Sequence, residues 1–188
     1  MKSDVIHVTS KGAGIEEALL QAEKVAAYNS LNQKDSIHLR LFAEEIMGMM
    51  TGLTGEQDAD FWIESDENCC HLHLLATTAM NSEKREKLLA ASTSGKNDVR
   101  GFMGKLRAAF ESAVDSLGSG YAEAIDSGLV ESGSRGFSEW SLVQYKANVK
   151  NGEEWDELEH SVVAKLADEL RIRITGSKVE MIIDKNFK

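Results

Sequence analysis

Hydrophobic and polar residues follow two rhythms along this chain, and the points where one gives way to the other mark its elements. Val5 to Thr9 reads as a short strand, closed by the turn Ser10-Lys11-Gly12-Ala13-Gly14. From Ile15 the period becomes helical. Ile15, Leu19, Ala22 and Ala26 fall on one stripe with Val25 beside it, while Glu16, Glu17, Glu23 and Lys24 stay largely outside it. Asn29 to Lys34 breaks the pattern. A second helix is predicted from Asp35 or Ser36, either a good N-cap. It places Ile37, Leu41, Ala43 or Glu44, Met47 and Met50 at neighbouring surface positions and ends near Gly52 or Gly55.

Strand-like runs follow at Phe61 to Glu64 and Cys69 to Leu75, joined by the turn chemistry of Ser65-Asp66-Glu67-Asn68, which predicts an antiparallel hairpin. Asn81 or Ser82 can cap a helix through Leu88 and Leu89. Asn97 or Asp98 can cap a longer one carrying Val99, Phe102, Leu106, Phe110, Ala113 and Leu117, with Gly118 as its stop. Residues 118–139 are rich in Gly and Ser and read as a mobile insertion. Trp140 to Val149 fits a weak strand or a helix. Trp155, Leu158, Val162, Leu166 and Leu170 mark another amphipathic helix. Arg171 to Ile174 and Val179 to Ile183 form a second hairpin across Thr175-Gly176-Ser177-Lys178. The predicted class is α+β: one domain over residues 1–188, a two-layer sandwich with a mostly antiparallel or mixed sheet and helices on one face.

Composition narrows the function classes. The 188 residues suffice for a sizeable core, and 42% hydrophobic with 28% charged residues excludes a disordered chain. The apolar runs are too short for a bilayer span, and Met1 to Gly12 lacks a signal-peptide core, so a cytoplasmic protein is expected. A net charge of −10 repels phosphate backbones and anionic lipid, which argues against nucleic-acid and membrane partners. The two cysteines, Cys69 and Cys70, are adjacent and point to opposite faces of a strand, so no structural disulfide is expected. Cys69, His71 and His73 share one strand face, yet no further ligand has zinc spacing to them, and no metal site is assigned. Trp62, Trp140 and Trp155 read as core or interface anchors.

Candidate chemistry lies in four stretches. Leu39 to Gly48 puts Glu44 and Gly48 four residues apart on one helix face. Ala76-Thr77-Thr78-Ala79-Met80 follows the first hairpin. Ser92-Thr93-Ser94-Gly95-Lys96-Asn97 precedes Gly101-Phe102-Met103-Gly104-Lys105 at a predicted helix start, where backbone N–H groups and the helix dipole favour anions. The Ser-Gly-Lys segment lacks the full spacing of a P-loop. From the residues alone, Glu44 and Glu45 are helix acids reaching solvent.

In this order the chain resembles the Bergerat-type (GHKL) ATP-binding domain of anti-sigma-factor kinases and histidine kinases, most closely from Ile15 to Leu75. The resemblance implies that Glu44 stands where the family has the acid that orients or deprotonates water. Gly48 stands where the family has its magnesium-binding asparagine. Thr78, or Thr77 with a one-residue shift, falls where an Asp-x-Gly-x-Gly stretch binds adenine, and Met80 fills space that glycine leaves open. Ser94, Gly95 and Lys96 fall in the ATP lid, and Gly101, Gly104 and Lys105 in the second glycine box. ATP is the implied ligand. Magnesium-dependent turnover is not expected, because the metal takes oxygen ligands and Gly48 offers none. The implied partner is a sigma factor or an anti-anti-sigma protein. Three functions fit: a regulatory protein with weakened or lost magnesium-dependent nucleotide binding, an active ATP-dependent serine/threonine kinase using Glu44 as base, or a ligand-free interaction domain docking through Tyr121 to Trp140.

Overall fold

A computed structural model of the chain describes residues 1–54, 58–66, 68–77, 129–131, 137–148, 161–175 and 178–187. In chain order these form β1 (Ile6–Thr9), α1 (Ile15–Tyr28), α2 (Gln33–Thr54), β2 (Asp58–Asp66), β3 (Cys69–Thr77), β4 (Leu129–Glu131), β5 (Phe137–Ser141), α3 (Leu142–Asn148), α4 (Val162–Leu166), β6 (Glu169–Thr175) and β7 (Lys178–Asn186). The described strands make one sheet in the order β1-β2-β3-β7-β6-β5-β4, and every pairing is antiparallel. The fold is α+β. No helix among the described residues is long and apolar enough to cross a membrane.

Strand alternation divides the sheet into two unlike faces. Register aligns Ile6, Phe61, Leu74, Met181, Ile172 and Trp140 in a row across six strands, and all are buried. Val8, Ala59, Ala76 and Val179 make a parallel row on one side, and Ile63, Leu72, Ile183 and Leu170 another on the opposite side. Into the same core α1 sets Ala18, Ala22, Val25 and Ala26, and α2 sets Leu39, Phe42, Ala43 and Ile46.

The buried stripe of α2 keeps Ala43 and Met47 of the predicted positions but not Ile37 and Leu41. Ile37 is 51% exposed and Leu41 only half-buried, while Leu39, Phe42 and Ile46 are fully buried. The helix carries two apolar stripes, and periodicity alone does not say which one meets the sheet. Its start also lies earlier than Asp35. The Asn32 side-chain carbonyl accepts the Asp35 backbone N–H at 3.0 Å, and its amide donates back to the Asp35 carboxylate at 2.7 Å. This reciprocal cap makes Asp35 a first-turn residue.

Three further differences have local causes. Trp140 to Val149 is neither all strand nor all helix: β5 ends at Ser141 and α3 begins at Leu142. The Glu169 carboxylate accepts from the Val143 N–H at 3.1 Å and from the Ser141 hydroxyl at 2.9 Å, fixing that junction. Leu170, placed on a helical stripe by spacing, belongs to β6, because Ala167 turns extended and ends α4. Within residues 118–139, read as a mobile insertion, 129–131 and 137–139 are sheet strands; the rest of that stretch lies outside the described residues. So do both helices predicted between Asn81 and Gly118, and Trp155 and Leu158.

The N-terminus runs along β2 beyond β1. Lys2 bridges Glu64 whereas Ile6 opposes Phe61, so four steps on one strand face three on the other, the signature of a bulge. Gln21 of α1, a buried polar residue, stitches this irregularity by donating to the Asp4 carbonyl at 2.6 Å and the Ser3 hydroxyl at 2.7 Å. After β1 the chain folds back on the strand's outer edge, where Thr9 N–H reaches the Ala13 carbonyl at 3.0 Å. Gly14 caps α1 at φ 75°, and a Cβ there would lie 2.0 Å from the His7 carbonyl oxygen. Gly12 also has positive φ but open space around it. Gly14→Ala is therefore expected to lower stability by about 2–4 kcal/mol through clash and strain, and Gly12→Ala by only about 1–2 kcal/mol. Urea unfolding of both variants checks this, and equal losses would remove the special role of Gly14.

Candidate functional site

Sequence reasoning places its acid on α2, and the helix presents that acid outward. Glu44 and Gly48 lie one turn apart, both exposed, on a face that continues back through half-buried Leu41 and exposed Ile37. A Cβ built on Gly48 meets nothing within 4 Å. This face thus combines one carboxylate, apolar neighbours and open space beside bare backbone. Thr78, Ser94, Gly95, Lys96, Gly101, Gly104 and Lys105 lie outside the described residues, so Glu44 and Gly48 are the pair brought together here.

Glu45, one position on, turns roughly 100° around the helix to a different task. Its carboxylate accepts from the Ser161 hydroxyl at 2.5 Å and from the Val163 N–H at 3.0 Å, at the start of α4. No local motif announces it, because its partners lie 116 and 118 residues away.

The second concentration of chemistry is the sheet face turned away from α1 and α2. Cys69, His71 and His73 do share that face, with Cys70, Leu72 and Leu74 buried behind them. The histidines are engaged separately: His71 Nδ1 lies 2.6 Å from Asp184, and His73 Nδ1 lies 3.0 Å from Glu180. Among the described residues no three His, Cys, Asp or Glu side chains gather in a way that could hold a metal ion. Arg171 also bonds Asp184 at 2.6 Å, and Arg173 bonds Glu139 at 2.6 Å with Glu180 3.9 Å away. His73 stacks on Trp62 with ring centroids 4.7 Å apart, and Lys2 sits 4.8 Å from the centre of the same Trp62 ring. Trp62 donates to Glu64 at 3.0 Å; Lys2, at 2.9 Å, and this indole hold the Glu64 carboxyl below its usual range. Trp62 is thus a cross-strand anchor of the polar face, whereas Trp140 is core.

Comparison with family models, with curated proteins and with solved structures returns no match for this chain.

Chemically the two faces differ. The α2 face presents a carboxylate to solvent. The polar sheet face pairs opposite charges and so neutralises its own acids. Burial pushes the Cys70 thiol up to about 11, which keeps it protonated and a poor nucleophile. At the outer strand, His7 is raised above its ordinary 6.5 chiefly by its hydrogen bond to Asp60; desolvation opposes this, and attraction to Asp58 and Asp60 adds to it. A raised folded value means that the stabilisation is full below pH 6.5 and disappears as pH rises through the folded value. Wild type is therefore expected to exceed His7→Gln in denaturation midpoint in mildly acidic buffer and to converge with it in alkaline buffer. A pH-independent gap would refute the assignment.

Proposed function

We propose that the chain is a GHKL-like regulatory domain, built on an ATP-binding scaffold, in which magnesium-dependent nucleotide binding is weakened or lost. On this reading it acts through a protein partner of the sigma-factor or anti-anti-sigma type. The observation that carries the reading is Gly48, which sits one turn after Glu44 on the open face of α2 and has no side chain to give. Magnesium takes an octahedron of hard oxygen ligands, and a glycine in mid-helix also has its carbonyl committed to the helix ladder. The residues at this position do not fit the metal.

Support for the scaffold comes from element order. Strand, two helices and a hairpin are followed, after the glycine-containing stretch, by β4, β5, α3, α4 and the terminal hairpin β6–β7. Support for relaxed adenine recognition comes from the Ala76 to Met80 segment, which has neither aspartate nor glycine. Two positions that act on different parts of a nucleotide thus depart in the same direction.

Calorimetric titration with ATP and ADP, each with and without magnesium, tests the reading. The expected result is weak or no binding that magnesium leaves unchanged. Gly48→Asn, whose side chain enters open space and whose helix propensity exceeds that of glycine, should fold normally and introduce a magnesium dependence. Tight magnesium-dependent binding by the unaltered chain overturns the proposal.

A further inference from the structure

We propose that α4 is a releasable clasp, held by Glu45 of α2 at its start and by Lys146 of α3 at its middle, and able to undock while the sheet stays folded. A helix of five residues cannot sustain itself in water, because nucleation costs more than its few hydrogen bonds return. Its order must come from what touches it.

At the N-terminus the Ser161 hydroxyl accepts the Ala164 N–H at 3.0 Å and donates to Glu45, while the second Glu45 oxygen takes the Val163 N–H at 3.0 Å. A carboxylate there also meets the positive end of the helix dipole. At mid-helix, the Lys146 ammonium of α3 donates to the Ala164 carbonyl. Burial lowers the Lys146 pKa, with Glu169 opposing, which marks this ammonium as partly withdrawn from water. Between the two charges, Val163 and Ala164 are the buried residues.

Nothing in the sheet depends on this helix for its ladder. The strand that follows, β6, pairs with β5 along Arg171 to Thr175 and with β7 along its whole length. The chain has already turned extended at Ala167 before entering it. Opening α4 therefore breaks its polar contacts and lifts Val163 and Ala164, with Val162 and Leu166 packed beside them, off the core without unzipping a strand. It also frees the Glu45 carboxylate on the turn that carries Glu44. That link to the α2 face rests on the nucleotide reading above; the clasp itself does not.

Native-state hydrogen exchange on the full chain, followed residue by residue by NMR, decides the matter. In Glu45→Ala, amides of Val163, Ala164, Lys165 and Leu166 should exchange at least about tenfold faster, while those of Leu72, Ile172 and Ile183 stay within about twofold of wild type. Lys146→Met should accelerate the same set. Glu45→Gln should fall between, since its amide keeps one acceptor and turns a donor toward the other bond. If Glu45→Ala fails to fold, the other two variants carry the comparison. No acceleration in α4, or equal acceleration in α4 and the sheet, overturns the clasp and makes Glu45 an ordinary part of one cooperative core.

Discussion

The pairing of β3 with β7 is the constraint on which the rest of the structure depends. Nine residue pairs, from Cys69 opposite Asn186 to Thr77 opposite Lys178, join the two terminal portions of the chain at the centre of the sheet. Each portion supplies a local hairpin, β2–β3 and β6–β7, but a lone hairpin is at best marginally stable in water. Only when β7 docks on β3 do the six buried residues from Ile6 to Trp140 line up as one surface for the helices. A slip of one residue would exchange Leu72, Leu74 and Ala76 for His71, His73 and Leu75 on the core side. The register is thus enforced from both faces: apolar burial on one, and His71–Asp184 with His73–Glu180 on the other.

That second face explains how a two-layer fold tolerates so much half-buried charge. Leaving one partner alone there would cost several times what the pair contributes, so the charges come in linked sets and not as isolated ions. Asp184 serves both His71 and Arg171, and Arg173 stands between Glu139 and Glu180. These contacts cross β3, β7, β6 and β5 and tie the strands laterally. Ile182, fully buried on this side, lies opposite His73 and Arg171 in register.

How much of this could be read from sequence depends on the range over which each decision is made. The hairpins were legible because alternation in Cys70-His71-Leu72-His73-Leu74 is a two-residue signal, and so was the sharing of one face by Cys69, His71 and His73. The existence of α1 and α2 was equally local. The full buried face of α2 was not, because Ile37 and Leu41 compete with Leu39, Phe42 and Ile46, and only the sheet chooses between them. The strand β4 and the start of β5 carry no such signal, because Leu129–Glu131 and Phe137–Glu139 are short and sit among glycines and serines; only Trp140 and Ser141 fall in the run that fits a weak strand or a helix. At the candidate site, Glu44 and Gly48 were placed together by helical spacing alone, and their exposure followed the solvent-facing alternative for Glu44. Glu45, expected to reach solvent like Glu44, is instead bonded to Ser161, a contact that spans 116 residues and leaves no local signal.

Adjacent acids with opposite fates show how one helix turn can carry two duties. Consecutive side chains on α2 diverge by about 100°, enough to send Glu44 to solvent and Glu45 to the start of α4. Exchanging their roles would need a rotation of α2 that drags Phe42 and Ile46 out of the core, so the division is fixed by packing and not by the acids themselves. Gly48 belongs to the same account. It lies on the Glu44 side of the helix, where no side chain is needed for burial, so its cost is confined to helix propensity, about 1 kcal/mol. A glycine on an exposed helix face contributes nothing to packing, and the bare backbone it leaves beside Glu44 is therefore a property of the surface and not of the core.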